Sequence, residues 1–577
     1  MASFYQDGPQ LGNQFDDDRA LRDGLRRLLP GEVLAEIEPD LRSMGARTVS
    51  EIAALGNTAE AQPPKLVQFD PWGRRIDQIE VSPAWTALEK ISAEEGLVAI
   101  GYERRQAEWS RIYQFVKLYL FGPSSATYTC PLAMGDGAAR AIEVHGNATL
   151  KAGALRHLTT RDPAQFWTSG QWMTERPGGS DVGRTETIAR ADGQGYRLYG
   201  TKWFTSATTS QMALTLARLE DAAGQTQAGS RGLGLFYLET RDASGALDHI
   251  LINRLKDKLG TKALPTAELT LEGTRAQLVG RPGDGVRNIA AMINVTRVHN
   301  VMGAVSGMRR AVALARDYAG RREAFGKLLK HHPLHVETLA GLQTEVEGGL
   351  ALFLHILELM GREECGKASA DEAAVLRLLT PVAKLYTAKQ AIAVTSEVLE
   401  SFGGAGYVED TGLPRMLRDV QVLSIWEGTT NILSLDTLRA IAKEQAFEPW
   451  MHHITEKLGR IQHPGLEDVV ARIRHAVNRI VNFLPRAMEA GEACVMAGAR
   501  GFAFSLARTT IATLLAEQAE WSARTDNDGR ALLAALRWVQ QELAPLVYVL
   551  PEGPLDPRSL ALDEPVPLPE IPVHQDV

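Results

Sequence analysis

Hydrophobic positions change their spacing several times along the chain. From Asp16 to Arg42 they recur with helical period, with Leu21, Leu25, Leu28 and Leu29 on one side. GNTAEAQPPK (56–65) interrupts the pattern and predicts a loop. Helical spacing returns over 82–165, with breaks expected near Gly122-Pro123 and in the small-residue segment 133–140. After Thr168 the period falls to two. Residues 196–207, 212–220, 231–240 and 267–273 are short, alternating and turn-bounded, and predict strands of a compact antiparallel β-domain. The helical period then resumes. Leu339, Leu342, Val346, Leu350, Phe353, Leu357 and Met360 form one apolar stripe on a long helix. A second long helix is predicted over 370–402, from Ala370 to the Gly403-Gly404 break, and 440–545 is again helical. The tail after Pro551 is Pro-rich and acidic, and predicts an end that is disordered or ordered only in patches.

Helices, then strands, then helices, then further helices make an α+β multidomain chain, mostly α, and not a βαβ repeat. The predicted divisions are an N-terminal extension (1–64), an N-terminal helical domain (65–167), a middle β-domain (168–282), a C-terminal helical bundle (283–440), an additional helical domain (441–550) and the tail (551–577). The glycine clusters at 135–137 and 403–406 do not form GxGxxG between a strand and a helix, so a Rossmann site is not expected. Walker A, HExxH and GxSxG motifs are also missing.

Composition narrows the function class. Among 577 residues, 62 Lys plus Arg face 70 Asp plus Glu, a net charge of −8, which argues against a surface built wholly for nucleic acid. Cys130, Cys365 and Cys494 lie far apart with no CxxC pair, so free thiols and no metal site are expected. No apolar run reaches about 18 residues, so no membrane span is expected. The acidic N-terminal stretch lacks a signal or transit pattern, and a cytoplasmic protein is the expectation.

Four segments could carry chemistry, and each also has a purely structural reading. Met173-Thr174-Glu175-Arg176-Pro177-Gly178-Gly179-Ser180-Asp181-Val182 offers hydroxyls and close backbone approach to a polar ligand, or is a Pro-Gly-Gly turn with a Ser-Asp cap. In Lys202-Trp203-Phe204-Thr205-Ser206 the Trp could stack on a planar ring beside hydroxyls, or fill a core. Arg322, in the run Arg321 to Lys327, could clamp a phosphate, or simply end a helix in solvent. Glu427, in Ser424 to Ile432, lies in an apolar run. Desolvation there raises a carboxyl pKa and suits a base, while Thr429 or Thr430 could cap a helix.

Together and in order, TERPGGSDV, YGTKWFTS, RREAFGK, SFGGAGY and IWEGTTN resemble the acyl-CoA dehydrogenase family of flavoproteins over about 165–435, with a looser match from 65. The RLKDKLGTK segment (254–262) and the extensions at both ends resemble the AidB-type, alkylation-response branch. The resemblance implies the acyl-CoA dehydrogenase fold: an N-terminal helical domain, a middle β-barrel or sandwich and a C-terminal four-helix bundle, here with an extra C-terminal helical domain. It implies FAD and a homotetramer built as a dimer of dimers. It assigns Met173, Thr174, Gly179, Ser180, Trp203, Phe204, Thr205, Arg322, Phe325, Gly404, Thr429 and Asn431 to the cofactor, the Arg322–Phe325 segment reaching the flavin of a neighbouring subunit. Ser180, Asn294, Arg297 and Gly428 are implied at the substrate, and Glu427 as catalytic base. Glu400, Asn294 and His332-Pro333 depart from the usual family residues Gln, Asp and His-Gln.

The implied reaction is α,β-dehydrogenation of an acyl-CoA thioester, with electron-transfer flavoprotein or another acceptor as partner. The alternative is an AidB-like flavoprotein with weak turnover that acts by binding DNA or acyl-CoA. Residues 441–577 hold 13 Lys plus Arg against 18 Asp plus Glu, the wrong sign for a phosphate-binding domain, so DNA is not favoured.

Overall fold

Pro30 divides the first helical run of the chain, which the sequence pattern presents as continuous. In the computed structural model, which describes residues 7–547 and 557–565, α1 (Arg19–Leu28) ends before it and α2 (Gly31–Arg47) begins after it. Asp18 caps α1 by accepting the Leu21 N–H at 3.1 Å. Leu21, Leu25 and Leu29 are buried, while Leu28 is only half-buried. The loop expected from residue 56 is instead the second half of α3 (Glu51–Ala61). Gly56 is there for close packing, since a Cβ on it would lie 2.1 Å from the Ser124 carbonyl oxygen. The helix stops just before Pro63-Pro64, and a hairpin of β1 (Lys65–Phe69) and β2 (Arg75–Glu80) follows.

Helices α4 (Pro83–Glu94), α5 (Ala99–Glu103), α6 (Ser110–Phe121) and α7 (Thr129–His145) come next. The break at Gly122-Pro123 is present as a single tight turn. The break expected at 133–140 is not: α7 runs straight through it. Its small residues let the neighbouring Gly285–Ala319 helix approach, and a Cβ on Gly137 would meet Met292 Cγ at 2.7 Å. A buried ionic cluster joins these helices. Arg111 lies 2.9 Å from Asp136 and 2.8 Å from Glu364, and His299 Nε2 lies 2.9 Å from Asp136.

The β-domain holds β3 (Ser169–Trp172), β4 (Ile188–Asp192), β5 (Gly195–Ser206), β6 (Met212–Leu219), β7 (Leu233–Glu239), β8 (Ile250–Leu255) and β9 (Thr266–Val279). The pairings run β6–β4–β5–β9–β7 and back to β6, so the sheet closes on itself, with β3 added beside β6 and β8 beside β9. The expectation of a wholly antiparallel domain is corrected here: β3 and β4 both run parallel to β6. Neither strand shows a clean alternation, because both are short and β3 is buried on nearly every residue. Trp172, Leu198, Phe236 and Leu269 fill the interior.

Three long helices follow: Gly285–Ala319, Pro333–Glu364 and Ala370–Ser401. The last matches its predicted span and starts in a capping box. Glu372 N–H donates to Ser369 Oγ at 3.1 Å, and Ser369 N–H donates to Glu372 Oε2 at 2.8 Å. On the 333–364 helix the stripe is buried from Val346 onward, but Leu339 and Leu342 are half-exposed. A short helix, Leu413–Gln421, leads toward Glu427.

Among the described residues, those up to 376 with 383–429 form one compact unit, and 377–382 with those from 430 onward form a second. The second contains the helices Thr430–Glu444, Phe447–Gly459, Glu467–Glu489, Glu492–Thr525 and Arg530–Trp538 around Trp450, Phe483, Phe502 and Trp538. Trp450 Nε1 donates to Thr510 Oγ1 at 2.9 Å, which satisfies its buried N–H. Of the predicted tail, 557–565 carries the short helix Arg558–Leu562; the rest lies outside the described residues.

Candidate active site

The backbone turns sharply where Glu427 sits. Glu427 has φ +59° and Gly428 φ +103°, so an ordinary L-residue occupies the left-handed region immediately before a glycine. Three residues of the first unit, from three different elements, hold this turn. From β3, Gln171 Nε2 donates to Glu427 Oε1 at 3.0 Å. From the 285–319 helix, Arg297 Nε reaches the Glu427 carbonyl at 3.4 Å. From the 370–401 helix, Lys384 Nζ donates to the Gly428 carbonyl at 2.7 Å. The Thr296 hydroxyl also faces the carboxylate.

The residue is half-buried as a whole, but its carboxylate is enclosed by protein. Burial raises the Glu427 pKa above the ordinary carboxyl value, and Thr296, Arg297, Lys384 and Gln171 offset only part of that rise. Burial likewise pushes Lys384 down to about 7, against the pull of Glu427. Burial pushes the Cys130 thiol on α7, within electrostatic reach of Lys258 and Glu427, up to about 12.

A second group of residues lies on the β-domain. The 174–187 loop is clamped from beneath by Glu175, which is 3% exposed. Its carboxylate accepts from Lys202 Nζ at 2.7 Å and from the Glu186 N–H at 2.6 Å. Trp203 N–H donates to the Thr174 carbonyl at 2.9 Å, tying β5 to the loop. The β5–β9 register shifts between Lys202 and Thr205, so Trp203 and Phe204 form a bulge. Trp203 is half-exposed, with Lys256 Nζ 3.8 Å and Arg176 Cζ 5.4 Å from its ring centroid. Phe204 is exposed; Thr205 is buried and donates its hydroxyl to the Ala267 carbonyl at 2.8 Å. Met173 is half-buried, and Gly179 and Ser180 are exposed. A Cβ on Gly179 would come within 2.5 Å of Thr174 Oγ1.

Other predicted residues stand elsewhere. Arg322 precedes a two-residue turn whose tip is Phe325 (φ +51°) and Gly326 (φ +76°), and Phe325 is 99% exposed. Gly404 lies in an exposed turn after the 370–401 helix, one turn beyond the exposed Glu400. Asn294 is exposed on the same helix as Arg297. Thr429 is exposed, and Asn431 falls on the first turn of the Thr430–Glu444 helix, in the second unit.

Four family models match the chain. They are the Adaptive response protein AidB N-terminal domain over 9–162, the acyl-CoA dehydrogenase middle domain over 170–274, the acyl-CoA dehydrogenase C-terminal domain over 283–442, and the acyl-CoA dehydrogenase 11 C-terminal domain-like model over 445–566. The chain is 44% identical over 528 residues to Acyl-CoA dehydrogenase family member 11 of Caenorhabditis elegans, covering 89% of this chain and 86% of that one. The chain belongs to the acyl-CoA dehydrogenase family. It is also 32% identical over 414 residues to AidB of Escherichia coli (strain K12), covering 70% and 74% of the two chains. The crystal structure of Caenorhabditis elegans ACDH-11 in complex with C11-CoA superposes with a TM-score of 0.91 at 42% identity, covering 94% of this chain and 93% of that one. Acyl-CoA dehydrogenases are FAD-dependent oxidoreductases, and this chain is one by membership.

The residues present fit such a cofactor. Gln171 Oε1 is buried without a partner in a position next to the base, leaving an acceptor for an N–H of a bound group. Trp203 presents a ring at a bulge, where its own ladder partner is lost. Sequence reasoning did not find Gln171, Thr296 or Lys384. Thr296 adjoins the recognised Arg297, and Gln171 stands three residues before Thr174, so both lay within reach of the motifs. Lys384 stands in the middle of an apolar helix, where only the burial of a lone lysine signals anything.

Proposed function

We propose that the chain dehydrogenates an acyl-CoA thioester between Cα and Cβ, with Glu427 as the base. The observation that carries this is an enclosed carboxylate at a forced left-handed turn, with its pKa raised by burial and its geometry held from three elements. An α-proton of a thioester is weakly acidic, and a desolvated carboxylate close to it is the effective acceptor. Bound FAD supplies the acceptor for the β-hydride. On the protein side, Glu427 takes the α-proton, its backbone N–H is the family's donor to the thioester oxygen, and Arg297 stabilises the turn that presents both. Thr174, Gly179, Ser180 and Trp203 would hold the cofactor on the β-domain, and Thr205 would contribute through an oxygen that can still accept a hydrogen bond. Arg322 and Phe325 would reach the cofactor of a neighbouring subunit, Gly404 would lie near the adenosine end of a cofactor, and Thr429 would meet the flavin.

The C11-CoA bound by the similar ACDH-11 points to medium-chain acyl-CoA as the substrate class to test first. Electrons would pass to an electron-transfer flavoprotein or a comparable acceptor. A cytoplasmic location remains the reading from sequence, and among the described residues no helix is long and apolar enough to cross a membrane. The similarity to AidB supports a second reading, in which the chain chiefly binds acyl-CoA or DNA and turns over slowly.

The test is anaerobic reduction of the bound flavin by an acyl-CoA panel. Glu427→Gln keeps size and packing but cannot accept a proton, so it should retain FAD and lose flavin reduction by about 10²–10⁴-fold. Equal rates in the two proteins would move the base elsewhere.

A further inference from the structure

The base is held by a lysine whose own environment is unusual. Lys384 is fully buried in the middle of the 370–401 helix. Among the described residues it forms no ion pair, and its ammonium spends its hydrogen bond on one main-chain atom, the Gly428 carbonyl at 2.7 Å. A buried ammonium without a carboxylate at contact distance is costly, so a side chain of this kind in a packed helix needs a reason. The left-handed turn supplies one. An L-residue with φ +59° persists only where its surroundings over-determine it, and Lys384 joins Gln171 and Arg297 in holding it.

We propose that Lys384 is a positioning residue for the catalytic base: through the Gly428 carbonyl it locks the Glu427-Gly428 turn so that the Glu427 carboxylate and backbone N–H both face the substrate. The inference rests on the reading of Glu427 as base. Lys384 acts through the main chain and touches neither substrate nor cofactor. Its charge has a second effect. The groups facing Glu427 are Gln171 on β3, Thr296 and Arg297 on the 285–319 helix, Cys130 on α7 and Lys384. Removing the Lys384 cation takes away one influence that favours the ionised base, so the base should titrate at higher pH.

The experiment compares wild type, K384M, K384R and Glu427→Gln as FAD-loaded proteins. Flavin reduction by undecanoyl-CoA is followed across pH, and hydrogen exchange is followed in the peptide covering residues 422–430. K384M should keep FAD and the fold, reduce about 10–100-fold more slowly, shift its acid limb upward and exchange faster across the turn. K384R, which keeps a cationic donor, should recover part of the rate and of the protection. Wild-type rate with wild-type exchange in K384M would overturn the proposal. So would a slow K384M whose turn exchanges as in wild type, because the effect would then not be positional. Equal reduction in wild type and Glu427→Gln would instead sink the reading of the base; the exchange measurement still decides whether Lys384 holds the turn. Should K384M fail to fold, K384Q, polar but too short to reach Gly428, makes the same comparison.

Discussion

Glu427 combines two features that the amino-acid type alone does not confer: a strained backbone and a raised pKa. Burial is the first cause of the rise, and the nearby donors and cations only moderate it. The sign for activity follows. A base works when deprotonated, so as pH falls through a raised pKa the active form is lost earlier than for a free glutamate near about 4.3. The acid limb of flavin reduction by acyl-CoA should therefore lie above that value and disappear in Glu427→Gln. Stability runs the other way. A carboxyl whose folded pKa is raised stabilises the fold below its unfolded pKa, and that contribution is lost as pH rises through the folded pKa. Glu427→Gln should thus melt no lower than wild type at about neutral pH. A markedly lower melting temperature would show that the carboxylate holds the fold together.

At the scale of elements, the 174–187 loop depends on a buried pair beneath it. Lys202 on β5 donates to Glu175 at 2.7 Å and to the Leu216 carbonyl at 2.8 Å, with both side chains shut away from solvent. Removing one member of such a pair leaves a buried charge uncompensated, at a cost of about 3–5 kcal/mol. Lys202→Met should therefore lower the unfolding midpoint strongly and loosen FAD. Lys202→Met with Glu175→Gln should recover much of the loss, because no lone charge remains. Denaturant titration of the single and double variants would check both statements; an unaltered midpoint in Lys202→Met would show that the pair is dispensable.

At the scale of the molecule, Phe325 stands 99% exposed at the tip of its turn, an unfavourable place for a large apolar side chain unless a second chain covers it. The expected assembly is a closed homo-oligomer whose cofactor site includes this turn, most simply a dimer of dimers. Phe325→Glu should shift the mass measured by light scattering toward smaller species and weaken FAD retention; a flavin-loaded wild-type monomer at micromolar concentration would contradict the assembly. For DNA the expectation rests on charge. Residues 457–508 hold eight Lys plus Arg against four Asp plus Glu; of these cations Arg472 lies 2.8 Å from Asp468, Arg479 lies 3.3 Å from Glu542 and Lys457 lies 2.9 Å from Glu517, so part of the charge already has carboxylate partners. Duplex DNA should not bind tightly at about 150 mM salt, and any binding at low salt should fall steeply as salt rises. Submicromolar binding in a fluorescence titration at that salt, abolished by Arg472→Glu with Arg479→Glu, would promote the DNA-linked reading.

Much of this protein is written locally. The helix Ala370–Ser401 is legible from its capping box and its glycine stop, and the main strands from alternation, because such signals act over a few residues. The motifs around Thr174, Trp203, Arg322 and Glu427 were likewise legible, since they are contiguous runs. What the sequence did not disclose depends on partners distant along the chain. Gly56 and the small residues of α7 read as breaks, yet each is a point where another segment comes close, and only that segment shows the helix to be continuous. β3 and β4 owe their parallel pairing to β6, which lies many residues later. The grip on Glu427 is of the same kind. Gln171, Arg297 and Lys384 are separated from it by 256, 130 and 43 residues of chain, the last counted to Glu427 itself. A carboxylate's place in a motif can be read from the sequence, but the burial and the donors that raise and restrain its pKa exist only once the strands and helices have packed.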